Sequence, residues 1–418
     1  MIPLFHKIKG TLFSFVCRSG SLFAKFLLII YISKAMSLDT LGLYNIVSVT
    51  VAWSVYVLGF EFYSFSLRQI VGEDDRTISG FVFNQLVFHL FGFVLLAGLS
   101  PMLVAFGFIP SDLLFYFVII TLFDQLSQEC YRICIALGRP QFANLLHFIK
   151  SGLWVYPLLV LAFFEIEVTI HFILMAWLVG TLAAFVIGVI KLAMLNVLQL
   201  KIANLDIAWI RRGILVAFPF LVISAAQLTM DFSDRYLIDY FLGKSDVGVY
   251  SFFYGIANVP TTLITSVLVA GYYPKVINAY KFQDKIGQRH ALIRKFLWQS
   301  IGLAISVCAI VISLIHVLLD FVEKRPLIDQ INVFYLMLGQ VILFSIQVVV
   351  QTILYARHED RFLLVSAVAG ALLNILLNIF LIPNFGIIGA VISTILSMGL
   401  MLGLRLFFIA YVRRAKNK

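Results

Sequence analysis

The stretch Thr11–Ser33, TLFSFVCRSGSLFAKFLLIIYIS, is long and apolar enough to cross a bilayer as one helix, yet it contains two basic residues. Ser14, Arg18, Ser21 and Lys25 recur at helical spacing and therefore share one face. A cation at mid-bilayer costs between about 2.5 and more than 10 kcal/mol, so a membrane helix keeps one only where it meets water, a partner or an anionic ligand. The segment therefore predicts a membrane helix that lines a pathway for something negatively charged.

Apolar segments of similar length recur along the whole chain. Of its 418 residues, 62% are hydrophobic and 12% are charged, which excludes a soluble domain of this size. We predict an all-α, polytopic membrane protein with twelve spans, at residues 11–33, 41–67, 81–107, 112–137, 144–164, 169–195, 209–241, 247–273, 293–319, 327–356, 361–382 and 387–412. The connections between the spans are short, so no extramembrane domain is expected.

The positions of Lys and Arg predict the orientation in the membrane. Of the 31 Lys and Arg residues, 21 fall in the termini, the alternate connections or the adjoining span ends that share one side, four fall on the other side, and six lie further inside spans. Cytoplasmic segments are enriched in Lys and Arg, so both termini are predicted to be cytoplasmic. The net charge of +10 reflects the same bias, and nucleic acid is not expected as a partner.

The basic residues within spans allow more than one interpretation. They are Arg18, Lys25, Arg132, Lys150, Arg235 and Arg405. Arg405 lies near the inner end of the last span and is expected to snorkel to the surface. Arg132 either snorkels or pairs with Glu129, three residues earlier. The deep residues of the first and fifth spans either bind an anionic ligand or form structural ion pairs.

A short repeat divides the chain near its middle. Leu41-Gly42-Leu43-Tyr44 follows the first span, and Val247-Gly248-Val249-Tyr250 follows the seventh, 206 residues later. This spacing predicts two pseudo-symmetric six-helix lobes, residues 1–200 and 201–418. The same register places Lys25 opposite Asp231. If the lobes face each other, a basic and an acidic stripe would line one central cavity.

Carboxylates within the spans are candidates for binding a coupling cation, because a titrating carboxylate in a low-dielectric site binds cations or protons readily. The candidates are Glu61, Asp124, Glu129, Asp231 and Asp234. Alternatively, Asp231 or Asp234 neutralises Arg235. Cys130 and Cys134 share a helix face, but no acidic or His cluster completes a metal site there, and none is predicted.

Several motifs resemble those of a known transporter family. The start of the family's second half is matched by Asp234-Arg235-Tyr236-Leu237-Ile238, Val247–Ser251 and Pro274. Its last two helices are matched by Leu373-Asn374-Ile375-Leu376-Leu377-Asn378, Leu381-Ile382-Pro383 and Gly386-Ile387-Ile388-Gly389-Ala390. Leu41–Tyr44 matches the first half. The chain thus resembles the O-antigen flippases of the multidrug/oligosaccharidyl-lipid/polysaccharide (MOP) exporter superfamily.

This resemblance implies a MATE-like, two-lobed transporter in a bacterial inner membrane. Its members move undecaprenyl-diphosphate-linked sugar repeat units from the cytoplasmic to the periplasmic leaflet by alternating access. The coupling cation would be H⁺ or Na⁺, and an O-antigen polymerase is a candidate protein partner. Lys and Arg are natural ligands for a diphosphate. We expect the main contacts from Arg18 and Lys25, with further contacts from Ser21, Gln128, Arg132 and Lys150.

Other functions remain as alternatives. A multidrug exporter would share the fold but would favour an acidic or aromatic cavity for cationic drugs. A peptidoglycan-precursor flippase needs a basic cavity but usually has more than twelve spans. An O-antigen polymerase or ligase would be an enzyme, and would need a sizeable periplasmic loop. No nucleotide-binding loop is present in the sequence, so we expect neither ATP hydrolysis nor a cofactor.

Overall fold

The structure is a computed structural model that describes residues 2–164, 166–198, 205–282 and 286–416, with backbone only at 2–9, 11, 286 and 412–416. The described residues form helices and no strand. The α-helices are α1 Ile2–Ala35, α2 Leu38–Gly59, α3 Tyr63–Ile70, α4 Asp75–Leu99, α5 Pro101–Ala105, α6 Leu114–Ala136, α7 Pro140–Phe148, α8 Val155–Phe163, α9 Ile170–Met194, α10 Ile207–Phe241, α11 Lys244–Ala257, α12 Val259–Leu263, α13 Ala270–Lys281, α14 Ile286–Val322, α15 Arg325–Asp329, α16 Ile331–Ala356, α17 Asp360–Phe385 and α18 Ile387–Lys416.

The predicted membrane spans are confirmed. Within the described ranges, 11 helical segments are long and apolar enough to cross a membrane, and α11 with the helices after it forms a further span bent by 41°. The total of up to 12 matches the prediction, and the bounds agree closely: α9 covers Ile170–Met194 against a predicted 169–195. The chain is an all-α, multi-pass membrane protein.

Three spans contain irregular turns. The predicted helix 41–67 is interrupted between α2 and α3, where the non-glycine residues Phe60 and Glu61 have φ angles of 50° and 52°. A π-helical turn, Ile149–Leu153, joins α7 to α8, and another, Ile264–Val269, joins α12 to α13. Strained backbone and π-turns concentrate at functional sites, so these positions mark where to look for one.

One predicted connection is largely helical. The predicted spans 247–273 and 293–319 leave residues 274–292 as a connection, but α13 continues to Lys281 and α14 begins at Ile286. Residues 283–285 lie outside the described part of the chain. The charged residues here lie on helices that extend beyond the apolar segments, so polarity alone did not mark the helix ends.

Arg405 does not snorkel. Its side chain is only 2% exposed, and it donates hydrogen bonds to the Ser366 hydroxyl at 3.1 Å and to the Gln351 side-chain oxygen at 3.2 Å. The expectation from its place near the end of the last span was therefore wrong. Neighbouring helices supply acceptors that are nearer than water, which satisfies the guanidinium inside the protein.

The chain divides into two compact units. Unit 1 comprises Met1–Tyr31 and Ile46–Ser224, and unit 2 comprises Ile32–Asn45 and Ala225–Lys418. Helices α1, α2 and α10 each contribute residues to both units. The boundary predicted between residues 200 and 201 lies outside the described residues. Unit 2 contains both copies of the repeated motif.

The two repeated motifs pack against each other inside unit 2. A Cβ on Gly42 would collide with the backbone carbonyl of Lys244, and one on Gly248 would collide with that of Leu38. The contact is reciprocal, since Lys244 and Leu38 each begin the helix of the other motif. Only glycine allows this close backbone approach.

The repeat register predicted from the sequence holds through this region. Helices α1 and α10 end at Ala35 and Phe241, and helices α2 and α11 begin at Leu38 and Lys244. Each pair is offset by 206 residues, the spacing of the two motifs. The two halves therefore match without a gap here, which supports Lys25 and Asp231 as equivalent positions.

Replacing Gly248 with Ala should destabilise the protein, although Ala is the better helix former by about 1 kcal/mol. The added Cβ meets backbone that cannot rotate away, and overpacking of this kind typically costs about 1–3 kcal/mol. The apparent melting temperature of the purified protein in detergent should fall. Gly302→Ala is the matched control, because a Cβ there meets nothing within 4 Å. A Gly248→Ala protein as stable as the Gly302→Ala protein would contradict the close backbone contact between the two motifs.

Candidate functional site

Arg18 lies against helices of its own unit. Its Nε donates to the Asn144 side-chain oxygen at 3.0 Å, and its Nη2 lies 3.4 Å from the Tyr131 hydroxyl. Both partners are neutral, and the Arg18 side chain is exposed. Because a guanidinium carries five N–H donors, most of its donors stay available for an anion.

Lys25 is exposed as well and lies seven residues further along the same face of α1. Among the residues that the structure describes, none accepts a hydrogen bond from its ammonium group within normal distance. Lys25 interacts electrostatically with Lys150, which repels it, and with Asp124, which attracts it. Its charge is therefore only partly balanced by the protein.

Lys150 is the buried member of this group. It lies in the π-turn Ile149–Leu153, and its ammonium group donates to the Asp124 carboxylate at 2.9 Å and to the Gln128 side-chain oxygen at 2.8 Å. The indole N–H of Trp154 donates to the Lys150 carbonyl at 3.2 Å, which satisfies backbone in the widened turn. Lys150 is thus neutralised by a carboxylate, unlike the two cations of α1.

Small residues bring α1 and the π-turn together. A Cβ on Gly152 would lie 2.7 Å from the Ser21 Cα, and the Tyr156 hydroxyl donates to the Gly20 carbonyl at 2.8 Å. Ser21 itself is buried, and its hydroxyl donates to the Cys17 carbonyl at 3.1 Å. The close approach is what places the basic face of α1 beside Lys150.

We call Arg18, Lys25, Lys150, His147 and Asp124 the basic cluster. His147 interacts electrostatically with all three cations, which ties the group together within unit 1. With His147 neutral, three cations and one carboxylate leave a formal charge of +2. The structure thus brings together three of the four basic residues predicted to contact substrate.

The fourth, Arg132, belongs to a separate group centred on Glu129. Its Nη1 donates to Glu129 at 2.7 Å, and its guanidinium lies over the Tyr63 ring at 3.9 Å. Of the alternatives that the sequence left open, pairing with Glu129 is confirmed. Glu129 also accepts hydrogen bonds from the side-chain amides of Gln85 and Gln125, and His89 lies 3.7 Å away. We call these five residues the Glu129 network: Gln85, His89, Gln125, Glu129 and Arg132.

Glu61 lies at the break between α2 and α3. The carboxylate is buried, accepts a hydrogen bond from the Ser224 hydroxyl at 2.8 Å, and interacts with the Tyr63 hydroxyl. Tyr63 interacts electrostatically with both Glu61 and Arg132. The broken helix therefore connects Glu61 to the Glu129 network.

Unit 2 contains a carboxylate surrounded by neutral donors. Asp234 is 1% exposed and accepts hydrogen bonds from the Asn378 amide at 2.6 Å, the Tyr250 hydroxyl at 2.7 Å and the Thr394 hydroxyl at 3.0 Å. The Asn374 side chain bridges Asn378 and Thr394. We call these five residues the Asp234 centre. No ion pair to Asp234 is present among the described residues.

Arg235 does not neutralise either neighbouring carboxylate through a direct contact. Its Nη1 donates to the backbone carbonyl of Asp231 at 2.6 Å, and its guanidinium lies 4.3 Å from the Tyr254 ring centroid. The Asp231 carboxylate instead accepts a hydrogen bond from Gln227 at 3.2 Å. The acidic stripe predicted on this helix therefore keeps two carboxylates without a bonded cation in the described part of unit 2.

Sequence reasoning missed several residues of these groups. Gln85 and His89, and likewise Asn374 and Asn378, are polar pairs four residues apart in otherwise apolar helices. That spacing puts each pair on one helix face, which could have marked them as polar sites. Within the described residues, no group of three or more His, Cys, Asp or Glu side chains is placed to hold a metal.

Comparison with known proteins identifies the fold. No protein-family model matches the chain. The structure of the lipid II flippase MurJ in an inward closed conformation superposes with a TM-score of 0.77 and 15% identity, over 96% of this chain and 87% of MurJ. An inward-facing multidrug resistance MATE family transporter of the MOP superfamily gives 0.72 and 14%, over 96% and 99%. The chain has the MATE-like fold of these transporters.

One curated relative adds a functional association. The probable low-salt glycan biosynthesis flippase Agl15 of Haloferax volcanii is 25% identical over 164 residues, which are 39% of this chain and 34% of that protein. The match thus spans about a third of the relative's length. The MATE-like fold predicted from the sequence is confirmed, and the basic cluster is built on α1, α6, α7 and the π-turn that follows α7.

The effects of replacing Lys150 and Asp124 on stability should be strongly non-additive. Removing one partner of a buried ion pair leaves the other charge uncompensated and lowers the free energy of unfolding by about 3–5 kcal/mol. Lys150→Met and Asp124→Asn should each lower the melting temperature in detergent, and the double variant should lose clearly less than their sum.

The exposed pair Lys34–Glu323, at 2.9 Å, provides the control cycle. Its coupling should be only about 0–1 kcal/mol, because water screens both charges. Strictly additive effects of Lys150→Met and Asp124→Asn would show that the buried pair carries no special stability.

Proposed function

We propose that this protein is a flippase that moves undecaprenyl-diphosphate-linked oligosaccharides, such as O-antigen repeat units, across a bacterial inner membrane by alternating access. Cargo would pass from the cytoplasmic to the periplasmic leaflet, with both termini of the protein in the cytoplasm. The observation that carries the proposal is the basic cluster, an excess of positive charge kept inside the membrane-spanning part of unit 1.

The charge of the basic cluster fits a diphosphate. A diphosphate linking a lipid to a sugar carries about two negative charges, which would balance the formal charge of +2. Arg18 and Lys25 have unused donors, whereas Lys150 is engaged by Asp124 and Gln128. The two α1 cations would therefore make the primary contacts, and Lys150 would complete the site.

Arg132, Ser21 and Gln128 would contribute differently from the two α1 cations. Gln128 accepts from Lys150, and Ser21 packs on the π-turn, so both would hold the cluster in place. Arg132 is bound to Glu129 and would serve the Glu129 network. We propose these three as positioning residues, with Arg18, Lys25 and Lys150 as the diphosphate ligands.

The alternatives fit the structure less well. Solved structures with this fold include flippases and multidrug transporters, so the fold alone does not discriminate between them. A positive cluster repels cationic drugs and attracts anionic cargo. The similarity to a protein named as a glycan biosynthesis flippase supports the same choice. An O-antigen polymerase would act beside this protein as a partner, since the described outer connections offer no domain for sugar chemistry.

Asp234 is the strongest candidate among the five carboxylates for coupling transport to an ion gradient. Asp124 and Glu129 are paired with cations. Glu61 and Asp231 have neutral donors, as Asp234 does, but Asp234 accepts more hydrogen bonds and is the most buried of the three. Asp234 is buried, and only neutral donors contact it. A buried carboxylate with neutral partners gains stability by binding H⁺ or Na⁺, and the hydroxyl and amide oxygens around it suit either ion.

Loss of Arg18 and Lys25 should abolish transport. In proteoliposomes that contain fluorescently labelled undecaprenyl-diphosphate-sugar, the double variant Arg18→Ala, Lys25→Ala should flip the lipid at least tenfold more slowly than wild type, because charged hydrogen bonds are worth about 1.5–3 kcal/mol each. Protein level in the membrane should stay normal.

Lys324→Ala, Arg325→Ala removes the same charges from a connection far along the chain and should flip at the wild-type rate. Normal flipping by the Arg18→Ala, Lys25→Ala variant would end the proposal. Efflux of ethidium, a cationic drug, by the same vesicles would favour a multidrug exporter instead.

Asp234→Asn should uncouple transport. The amide keeps the size of the side chain but cannot neutralise a bound ion, so lipid accumulation driven by an imposed H⁺ or Na⁺ gradient should disappear while exchange without a gradient continues. Asp329→Asn, at a carboxylate that is 64% exposed, is the matched control. A gradient response retained by Asp234→Asn would remove Asp234 from the coupling mechanism.

A further inference from the structure

His89 is a buried imidazole that the basic cluster and the Asp234 centre do not use. It is 3% exposed and lies on α4, where the rings of Phe62 and Phe88 pack around it. Its Nδ1 lies 3.0 Å from the Leu58 carbonyl, and its Nε2 lies 3.4 Å from the Gln85 amide and 3.7 Å from Glu129. Every polar contact of the ring belongs to unit 1.

These contacts define the protonation state of the ring. A carbonyl oxygen only accepts, so Nδ1 carries the hydrogen and donates it to Leu58. The Gln85 amide donates to Glu129 and also points at Nε2, which is consistent with a lone pair there. We therefore assign His89 as neutral, with its free nitrogen facing the Glu129 carboxylate.

The polar chain that includes His89 contains more carboxylates than cations. The charged groups acting directly on His89 are Glu129 and Arg132, which balance each other, and Tyr63 links this pair to Glu61. With both carboxylates counted as ionised, the chain carries one formal negative charge. The Tyr63 hydroxyl is a further titratable group of this chain. One proton on Nε2 of His89 would balance the chain and convert the 3.7 Å contact into an ion pair.

His89 is also connected to the broken helix. In a regular helix the Leu58 carbonyl would accept from the amide of Phe62, but that amide donates to Gly59 instead. His89 supplies the missing donor to Leu58. A movement of the ring toward Glu129 would therefore pull on, or release, the carbonyl next to the strained residues Phe60 and Glu61.

We propose that His89 is a proton-binding site, in which Nε2 takes up one H⁺ from the aqueous phase at low pH and the resulting N–H donates a hydrogen bond to the Glu129 carboxylate. The protonated ring holds Glu129 in competition with Gln85 and Arg132, and the change is transmitted through Leu58 to the break between α2 and α3. The proton binding stands on this geometry alone. Its use to drive transport rests on the proposed flippase function.

Proton binding can be measured without transport. In ¹⁵N-histidine-labelled protein in detergent, the His89 signal is the one that His89→Gln removes. It should report a neutral, Nδ1–H imidazole at pH 9 and gain a second N–H as the pH is lowered to 5. Glu129→Gln should prevent this change over the same range. A His89 ring that stays neutral throughout would overturn the proposal.

The functional arm uses proteoliposomes loaded with the pH-sensitive dye pyranine and an imposed pH gradient. His89→Gln, whose amide can still donate to Leu58, should reduce proton influx at least tenfold, while lipid flipping without a gradient stays within twofold of wild type. His290→Gln, at an exposed histidine, should behave as wild type in both assays. Wild-type influx in His89→Gln would overturn the proposal. If the wild-type protein flips no lipid but His89 still titrates, the proposed flippase function is wrong, while His89 stands as a proton-binding site.

Discussion

The cost of an uncompensated charge in a low-dielectric interior governs the arrangement of this protein. An ionised side chain within a membrane helix has to find a counter-charge, a set of hydrogen bonds or water. Most of the ionised groups here do so inside their own unit: Lys150 with Asp124, Arg132 with Glu129, and Arg405 with two neutral acceptors. Against that background, Arg18 and Lys25 are exceptions, because they are exposed and no carboxylate of the described residues bonds to them. This incomplete compensation is why we propose them as ligands of an anion.

Close backbone contact and irregular turns place these groups. Gly152 lets α1 approach the π-turn, so that the basic face of α1 meets Lys150. The left-handed residues Phe60 and Glu61 stop α2, which leaves the Leu58 carbonyl for His89 and turns Glu61 toward Ser224. Each irregularity frees backbone groups that a polar side chain then satisfies. The strained turns and the polar clusters are therefore two aspects of one arrangement.

Much of the fold could be predicted from the sequence because span length and apolar composition are local properties. The twelve spans follow from them, and the Gly42 and Gly248 motifs gave the 206-residue register. The MATE-like fold was instead implied by the resemblance of several motifs to a known transporter family. Which charged side chains pair with each other was harder to predict from the sequence. Arg132 pairs with Glu129 on its own helix, which the three-residue spacing already suggested, whereas Lys150 meets Asp124 only because the π-turn packs against α6. The Gln85–His89 spacing marks a polar helix face, but the Leu58 and Glu129 contacts of His89 come from other helices. Arg405 was misjudged because its acceptors also come from other helices.

The two halves related by the repeat differ in charge at a matched position. Lys25 and Asp231 occupy equivalent positions, yet one half places cations on this helix face and the other places carboxylates. In unit 1 the exposed Lys25 lies beside the paired Lys150, and in unit 2 Asp231 accepts a hydrogen bond from Gln227, three residues before the buried Asp234. A duplicated scaffold would start with the same side chains in both halves. The opposite charges at the matched positions Lys25 and Asp231 are therefore a difference between the halves. Under the proposed function, this difference lets unit 1 bind an anionic cargo and unit 2 a coupling cation, so that each ligand acts on its own half.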